Sequence, residues 1–86
     1  LEELFEAITL KRLGLYFGPI ILLNTRGFYD DVVRVLERCV DERFMNPEHR
    51  AMWTVVDRVE DVVPTIRSTP RWREDARDIA VVRTHA

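Results

Sequence analysis

The sequence predicts an α/β fold, a parallel sheet flanked by crossover helices. Three observations carry that reading. Two short, continuous apolar runs, Pro19-Ile20-Ile21-Leu22-Leu23 and Met52-Trp53-Thr54-Val55-Val56, have the length and residue types of buried strands. Amphipathic helical stretches precede, separate and follow them, and such alternation is the pattern of parallel sheets. The segment between the two runs is long enough for a crossover, as a parallel pair requires. Two strands do not complete such a sheet, so the remaining strands are expected from sequence outside the chain or from another chain.

The first helix is predicted from residue 1 to about Leu13. Leu1, Leu4, Phe5 and Ile8 follow the i, i+3, i+4, i+7 spacing of one helical face. Glu2, Glu3 and Glu6 stand in its first two turns, where the helix dipole favours negative charge. No capping residue stands ahead of it, so the helix is expected to begin at or before residue 1, and the chain reads as starting inside a longer element. Gly14 suits its C-terminal end. Ala7, Leu10 and Leu13 form a second apolar strip, and a helix apolar on two sides is expected to be covered on two sides, by this domain or a second subunit. Leu15-Tyr16-Phe17-Gly18 reads as a connector with exposed aromatics leading to the first strand.

After that strand comes the loop Asn24-Thr25-Arg26-Gly27. Loops at the C-terminal ends of parallel strands line the ligand crevice in open α/β sheets. Asn24 and Arg26 are therefore placed where function sits, although a plain turn role suits both. The second helix is predicted from about Phe28 to Arg43. Val32, Val33, Leu36, Cys39 and Val40 form its core face, and Arg34–Glu37 and Arg38–Glu42 its favourable charge pairs. Asn46-Pro47-Glu48 starts a short helix, with Asn46 as cap and Pro47 at the first helical position. Beyond the second strand, Asp57 is expected to cap a last helix, paired with Glu60. Val59, Val62, Val63 and Ile66 would be its apolar face, with a kink or shortening near Pro64. From Ser68 onward the pattern dissolves, and residues 68–86 read as a poorly structured tail; Ile79, Val81 and Val82 offer an edge strand as the alternative.

At 86 residues the chain is at most one small domain. A content of 47% hydrophobic and 33% charged residues is that of a soluble globular protein rather than a disordered one. A net charge of -2 gives no electrostatic case for nucleic acid or an anionic membrane. No apolar run approaches the roughly 20 residues of a membrane span, and no signal peptide is seen. One cysteine, Cys39, excludes an internal disulfide, and it reads as a core residue. A reducing, cytoplasmic setting is expected. His49 and His85 have no partner at metal-ligand spacing, so no metal is expected. Trp53 and Trp72 read as packing residues. Lys11, the one lysine, has nothing around it to supply a cofactor site, so no cofactor and no Schiff-base chemistry are expected.

At Leu1-Glu2-Glu3-Leu4-Phe5-Glu6 the sequence resembles the LOG family, the cytokinin riboside 5'-monophosphate phosphoribohydrolases long labelled lysine decarboxylases. Family members carry Pro-Gly-Gly-x-Gly-Thr-x-x-Glu followed by a Leu-rich helix. On that motif Leu1 and Glu2 fill the two x positions and Glu3 is the motif Glu. The resemblance continues through Gly18-Pro19-Ile20-Ile21-Leu22-Leu23-Asn24 and Gly27-Phe28-Tyr29-Asp30. Phe44, Pro47, Arg50 and Thr54-Val55-Val56-Asp57 extend it to about residue 67.

The resemblance implies that residues 1–67 are the C-terminal part of a Rossmann-like domain, a homodimer when intact. The glycine-rich phosphate loop and an upstream Arg would lie outside this chain. It implies cleavage of the N-glycosidic bond of an AMP-like nucleoside 5'-monophosphate, giving free base and ribose 5-phosphate. Glu3 would be the catalytic carboxylate. Glu2 would be a second carboxylate or hold a ribose hydroxyl, and Thr9 would contact substrate across the dimer. Two other readings stand beside it. The chain can be a catalytically silent dimerisation or structural module, or a nucleotide- or cofactor-binding carrier of the same fold, such as a molybdenum-cofactor carrier.

Overall fold

A computed structural model describes residues 1–81. Its elements in chain order are helix α1 (Glu2–Arg12), strand β1 (Ile21–Leu23), helix α2 (Asp30–Asp41), strand β2 (Thr54–Val56), helix α3 (Val62–Ser68) and the single turn α4 (Ala76–Ile79). Short 3₁₀ turns at Thr25–Gly27, Pro47–Met52 and Val59–Asp61 join them. β1 and β2 pair in parallel, with Ile21 beside Thr54, Leu22 beside Val55 and Leu23 beside Val56. The fold class is thus mixed α/β with a two-stranded parallel sheet, and α2 supplies the crossover.

Both long helices end the same way. At α1 the Leu15 N–H bonds Leu10 O at 2.8 Å and the Gly14 N–H bonds Lys11 O at 3.1 Å. This is the Schellman arrangement, and Gly14 takes the left-handed conformation it needs, φ +77°. At α2 Phe44 bonds Cys39 O at 2.7 Å and Arg43 bonds Val40 O at 3.1 Å. There the left-handed position is filled by Arg43, φ +65°, at a conformational cost glycine would not incur.

The core gathers Ile8 of α1, Ile20 and Leu22, Leu36 and Val40 of α2, Met45, Met52 and Trp53, with Trp72, Ala76 and Ile79 from the last segment. α2 presents the predicted face: Leu36 and Val40 are buried, and Val32, Val33 and Cys39 pack against them. On its wet side Arg38 pairs with Glu42 as expected, whereas Arg34 pairs with Asp31, and Glu37 with Arg50, which also holds Asp41. These pairs are exposed and each contributes little to stability.

Several expectations are corrected. α1 buries the strip Leu4, Ala7, Ile8 and Lys11, leaving Leu1 67% and Phe5 41% exposed together with Leu10 and Leu13. One side of the helix is covered by this chain; of the second apolar strip, Ala7 packs against the core while Leu10 and Leu13 stay exposed. Phe17 is tucked under the Arg71 guanidinium, 4.3 Å from the ring centre, rather than standing out from the connector. Asp57 does not cap the last helix; the chain makes a 3₁₀ turn first, and α3 starts at Val62. Pro64 thereby falls in the first turn of α3, where an N–H has no partner within the helix to lose.

Residues 68–81 are packed rather than loose. The Trp72 N–H bonds Phe17 O at 3.0 Å, and Asn46 Nδ2 donates to Ile79 O and Val81 O at 2.7 and 2.9 Å. Arg12 donates to Ala80 O at 2.8 Å, and Ala76 lies against Gly14. Ile79 belongs to α4 and Val81 to a bend, so neither is in a strand; Val82 and the rest of the tail lie outside the described residues. Among the described residues no helix is long and apolar enough to cross a membrane.

Candidate functional site

The sequence placed candidate chemistry on α1 and on the loop after β1. Glu2 and Glu3 occupy the first turn of α1, both exposed. Their position suits the positive end of the helix dipole, and it leaves both carboxylates free to reach a ligand. Thr9 is exposed as well, on the face of Glu2, but seven residues further on, about 10 Å along the axis. Its hydroxyl donates to Phe5 O at 2.9 Å. The helix thus places Glu2 and Glu3 in one turn, their side chains diverging as neighbours on a helix do, and holds Thr9 two turns away.

The loop after β1 is built from within. The Asn24 N–H bonds Val56 O at 2.7 Å, extending the ladder and tying the two strand ends together. Asn24 Oδ1 accepts the Tyr29 N–H at 2.6 Å, and Nδ2 donates to Asp30 Oδ1 at 2.7 Å. Arg26 takes a left-handed conformation, φ 57°. Gly27 follows at φ 70°, where a Cβ would stand 2.5 Å from Asp30 Oδ2. Asn24 therefore organises the turn that starts α2, and its side chain is committed to that task. Arg26 remains exposed at the tip.

The residue that sequence reasoning passed over is Lys11. Its side chain is 1% exposed, inside the fold, and Nζ donates to Gly18 O and Met52 O, both at 2.8 Å. The ammonium also lies 5.3 Å from the centre of the Trp72 ring. Gly18 shortly precedes β1 and Met52 shortly precedes β2, so one cation bridges the starts of both strands. Burial pushes the Lys11 pKa below its usual value. Enclosed in this way, the amine has no path to a carbonyl substrate, and Schiff-base chemistry has no geometric basis here. The signal was present in the sequence: Leu4, Ile8 and Lys11 share the inward spacing of α1.

Four other flagged residues have structural roles, and His85 lies outside the described residues. Trp53 and Trp72 are buried in the core, and Cys39 packs against it. His49 Nδ1 accepts the Asn46 N–H at 2.8 Å, closing the turn that Asn46 and Pro47 begin. Among the described residues no group of three or more His, Cys, Asp or Glu is arranged to hold a metal ion.

The family model described as "Possible lysine decarboxylase" matches residues 1–66. The chain is 35% identical over 71 residues to the cytokinin riboside 5'-monophosphate phosphoribohydrolase LOG1 of Arabidopsis thaliana, across 74% of this chain and 33% of the relative. To LOG2 of the same plant, a protein of the same name, it is 43% identical over 49 residues, across 57% of this chain and 23% of the relative. To the bifunctional cytokinin biosynthesis protein of Fusarium pseudograminearum it is 36% identical over 70 residues, 81% of this chain and 14% of the relative. The chain therefore spans about a third or less of the length of these curated relatives. No solved structure is significantly similar to it.

Proposed function

The chain belongs to the family described as "Possible lysine decarboxylase", the LOG family, and on that premise we propose that it is a portion of a nucleoside 5'-monophosphate phosphoribohydrolase. The observation that carries this reading is the similarity, from α1 through β2, to relatives named for that reaction, with Glu2 and Glu3 open at the first turn of α1. In the proposed reaction the N-glycosidic bond of AMP or an N6-substituted AMP breaks. The bonding pair leaves with the base, which takes up a proton. Water adds to the anomeric carbon and gives ribose 5-phosphate.

The transition state has oxocarbenium character, so a nearby carboxylate lowers its energy. Glu3 fills that role and takes the proton of the attacking water. Glu2, in the same turn, orients the ribose hydroxyls or acts as the second carboxylate. Thr9, its hydroxyl proton already given to Phe5 O, offers lone pairs to a substrate held by a second subunit. The exposed Leu1 and Phe5 on the same helix support a homodimer. The two strands are then the C-terminal half of a Rossmann-like sheet, and the enzyme works in the cytoplasm. Lysine decarboxylation is set aside because Lys11 is held between two carbonyls.

The test is incubation of AMP and an N6-substituted AMP with the complete protein that carries this chain, with chromatography of the base released. Glu3→Ala is expected to abolish release while leaving the oligomeric state unchanged. Full activity in that variant refutes the role of Glu3. Binding of AMP without cleavage by the parent favours a carrier, and absence of binding favours a dimerisation module.

A further inference from the structure

We propose that Lys11 is a positioning residue for the site on α1, setting where the Glu2–Glu3 turn lies relative to the ends of both strands. The proposal rests on the reading of those glutamates as site carboxylates, and it assigns Lys11 no contact with substrate.

Lys11 is the point at which α1, β1 and β2 are tied together by one group. Its ammonium has three N–H donors. Two are taken by Gly18 O and Met52 O at 2.8 Å, and the aromatic face of Trp72 lies 5.3 Å away. The two carbonyls lead into strands whose far ends carry the Asn24 loop and Asp57, joined by the bond from Asn24 to Val56 O. The inward contacts of α1 from Leu4, Ala7 and Ile8 are apolar, and the Arg12 bond to Ala80 O runs to the last segment rather than to either strand. Apolar contacts resist separation but do not fix an axial register, because they lack direction. Hydrogen bonds of defined length do. The tie sits at the C-terminal end of an 11-residue helix, and Glu2 and Glu3 stand at the other end of the same rigid rod. A register error at Lys11 is therefore transmitted undiminished to the carboxylates.

Trp72 completes the arrangement from the segment after α3. It is 6% exposed, and its backbone is bonded to Phe17 O on the connector between α1 and β1. The ring closes the remaining side of the ammonium and keeps water from competing for the two carbonyls. A methionine at position 11 would fill much of the same space and supply none of the directional bonds.

The test uses a nitroxide on Glu6→Cys, in a Cys39→Ser background, with NMR relaxation read at the Asn24 and Asp57 amides. In Lys11→Met and Lys11→Gln, the folded molecules are expected to show altered relaxation at both amides. A slip of one helical residue, about 1.5 Å, changes the distance-dependent broadening by about 1.5-fold or more. In the complete protein the same variants are expected to lower kcat about 10- to 100-fold, with KM within about threefold, as a misplaced reacting group does. Lys11→Gln, which keeps a donor, should retain more kcat than Lys11→Met.

Unchanged broadening in the folded variants overturns the proposal. In the unsubstituted chain the Lys11 Nζ protons are expected to exchange slowly with water. Fast exchange would overturn the proposal too, whether or not the variants fold. If the broadening shifts but the parent releases no base from AMP, positioning by Lys11 stands and the hydrolase reading fails.

Discussion

Replacing Lys11 by methionine separates the two energetic effects of burying an ammonium. The substitution removes the donor from Met52 O, which is buried, and from Gly18 O, which is partly buried. An unsatisfied buried carbonyl costs about 1–3 kcal/mol, less where water can reach it, so the two together amount to about 2–4 kcal/mol. Removing a desolvated charge returns part of this. The net expectation is a loss of about 1–3 kcal/mol, read as a lower urea midpoint with an unchanged slope. Domains of this size have about 4–13 kcal/mol in total, so the variant should still fold.

The pH dependence carries the opposite sign. The Lys11 pKa lies below its usual value in the folded chain, so between the folded and unfolded values the unfolded state holds more protons. Stability from this group therefore rises as pH climbs from the folded pKa towards about 10.4, its value in an unfolded chain. That rise should be present in the parent and absent in Lys11→Met. A methionine variant as stable as the parent at neutral pH, or one that keeps the basic-side rise, would refute this account of Lys11.

Two further outcomes follow from the backbone and the last segment. Arg43→Gly relieves a left-handed residue at the end of α2 and should stabilise the chain by about 1 kcal/mol, a rise in Tm of about 4–8 °C. A lower Tm would mean that the Arg43 side chain makes a contribution larger than its strain. Asn46→Ala removes the donor to Ile79 O and Val81 O. It should cost about 1–3 kcal/mol and speed amide exchange across residues 69–81 ahead of β1 and β2. Uniform acceleration over the whole chain would instead tie that segment to global unfolding.

The elements legible in the sequence were those with a sustained period. α2 shows its core face because five apolar residues, from Val32 to Val40, repeat over about two and a half turns. The strands show because β-branched and aliphatic residues run together. α1 was placed correctly and its faces were not. Its inward strip ends in a lysine, and a charged residue is not scored as core even when two carbonyls await it. Residues 68–81 were missed for a related reason. Their burial depends on isolated residues, Trp72, Ala76 and Ile79, set among charges, and α4 is too short to show a period. Around the candidate site, Glu2 and Glu3 were legible as a motif. The commitment of Asn24 to its own loop was not, since it depends on Tyr29 and Asp30 folding back on it.

The bonds that close the fold join distant parts of the chain: Lys11 to Met52, Phe17 to Trp72, Asn46 to Ile79 and Arg12 to Ala80. This has a consequence for the order of events at the ribosome. α1 is made before its anchors, since the carbonyl that holds it belongs to residue 52 and the ring that seals it to residue 72. Until those residues leave the exit tunnel, the inward strip of the helix lacks the partners that cover it in this fold. Contacts of such long sequence separation form slowly, because loop closure precedes the contacts that reward it. The nascent chain therefore passes through an interval in which α1 is without these partners, and that interval is when a chaperone has most to bind on it.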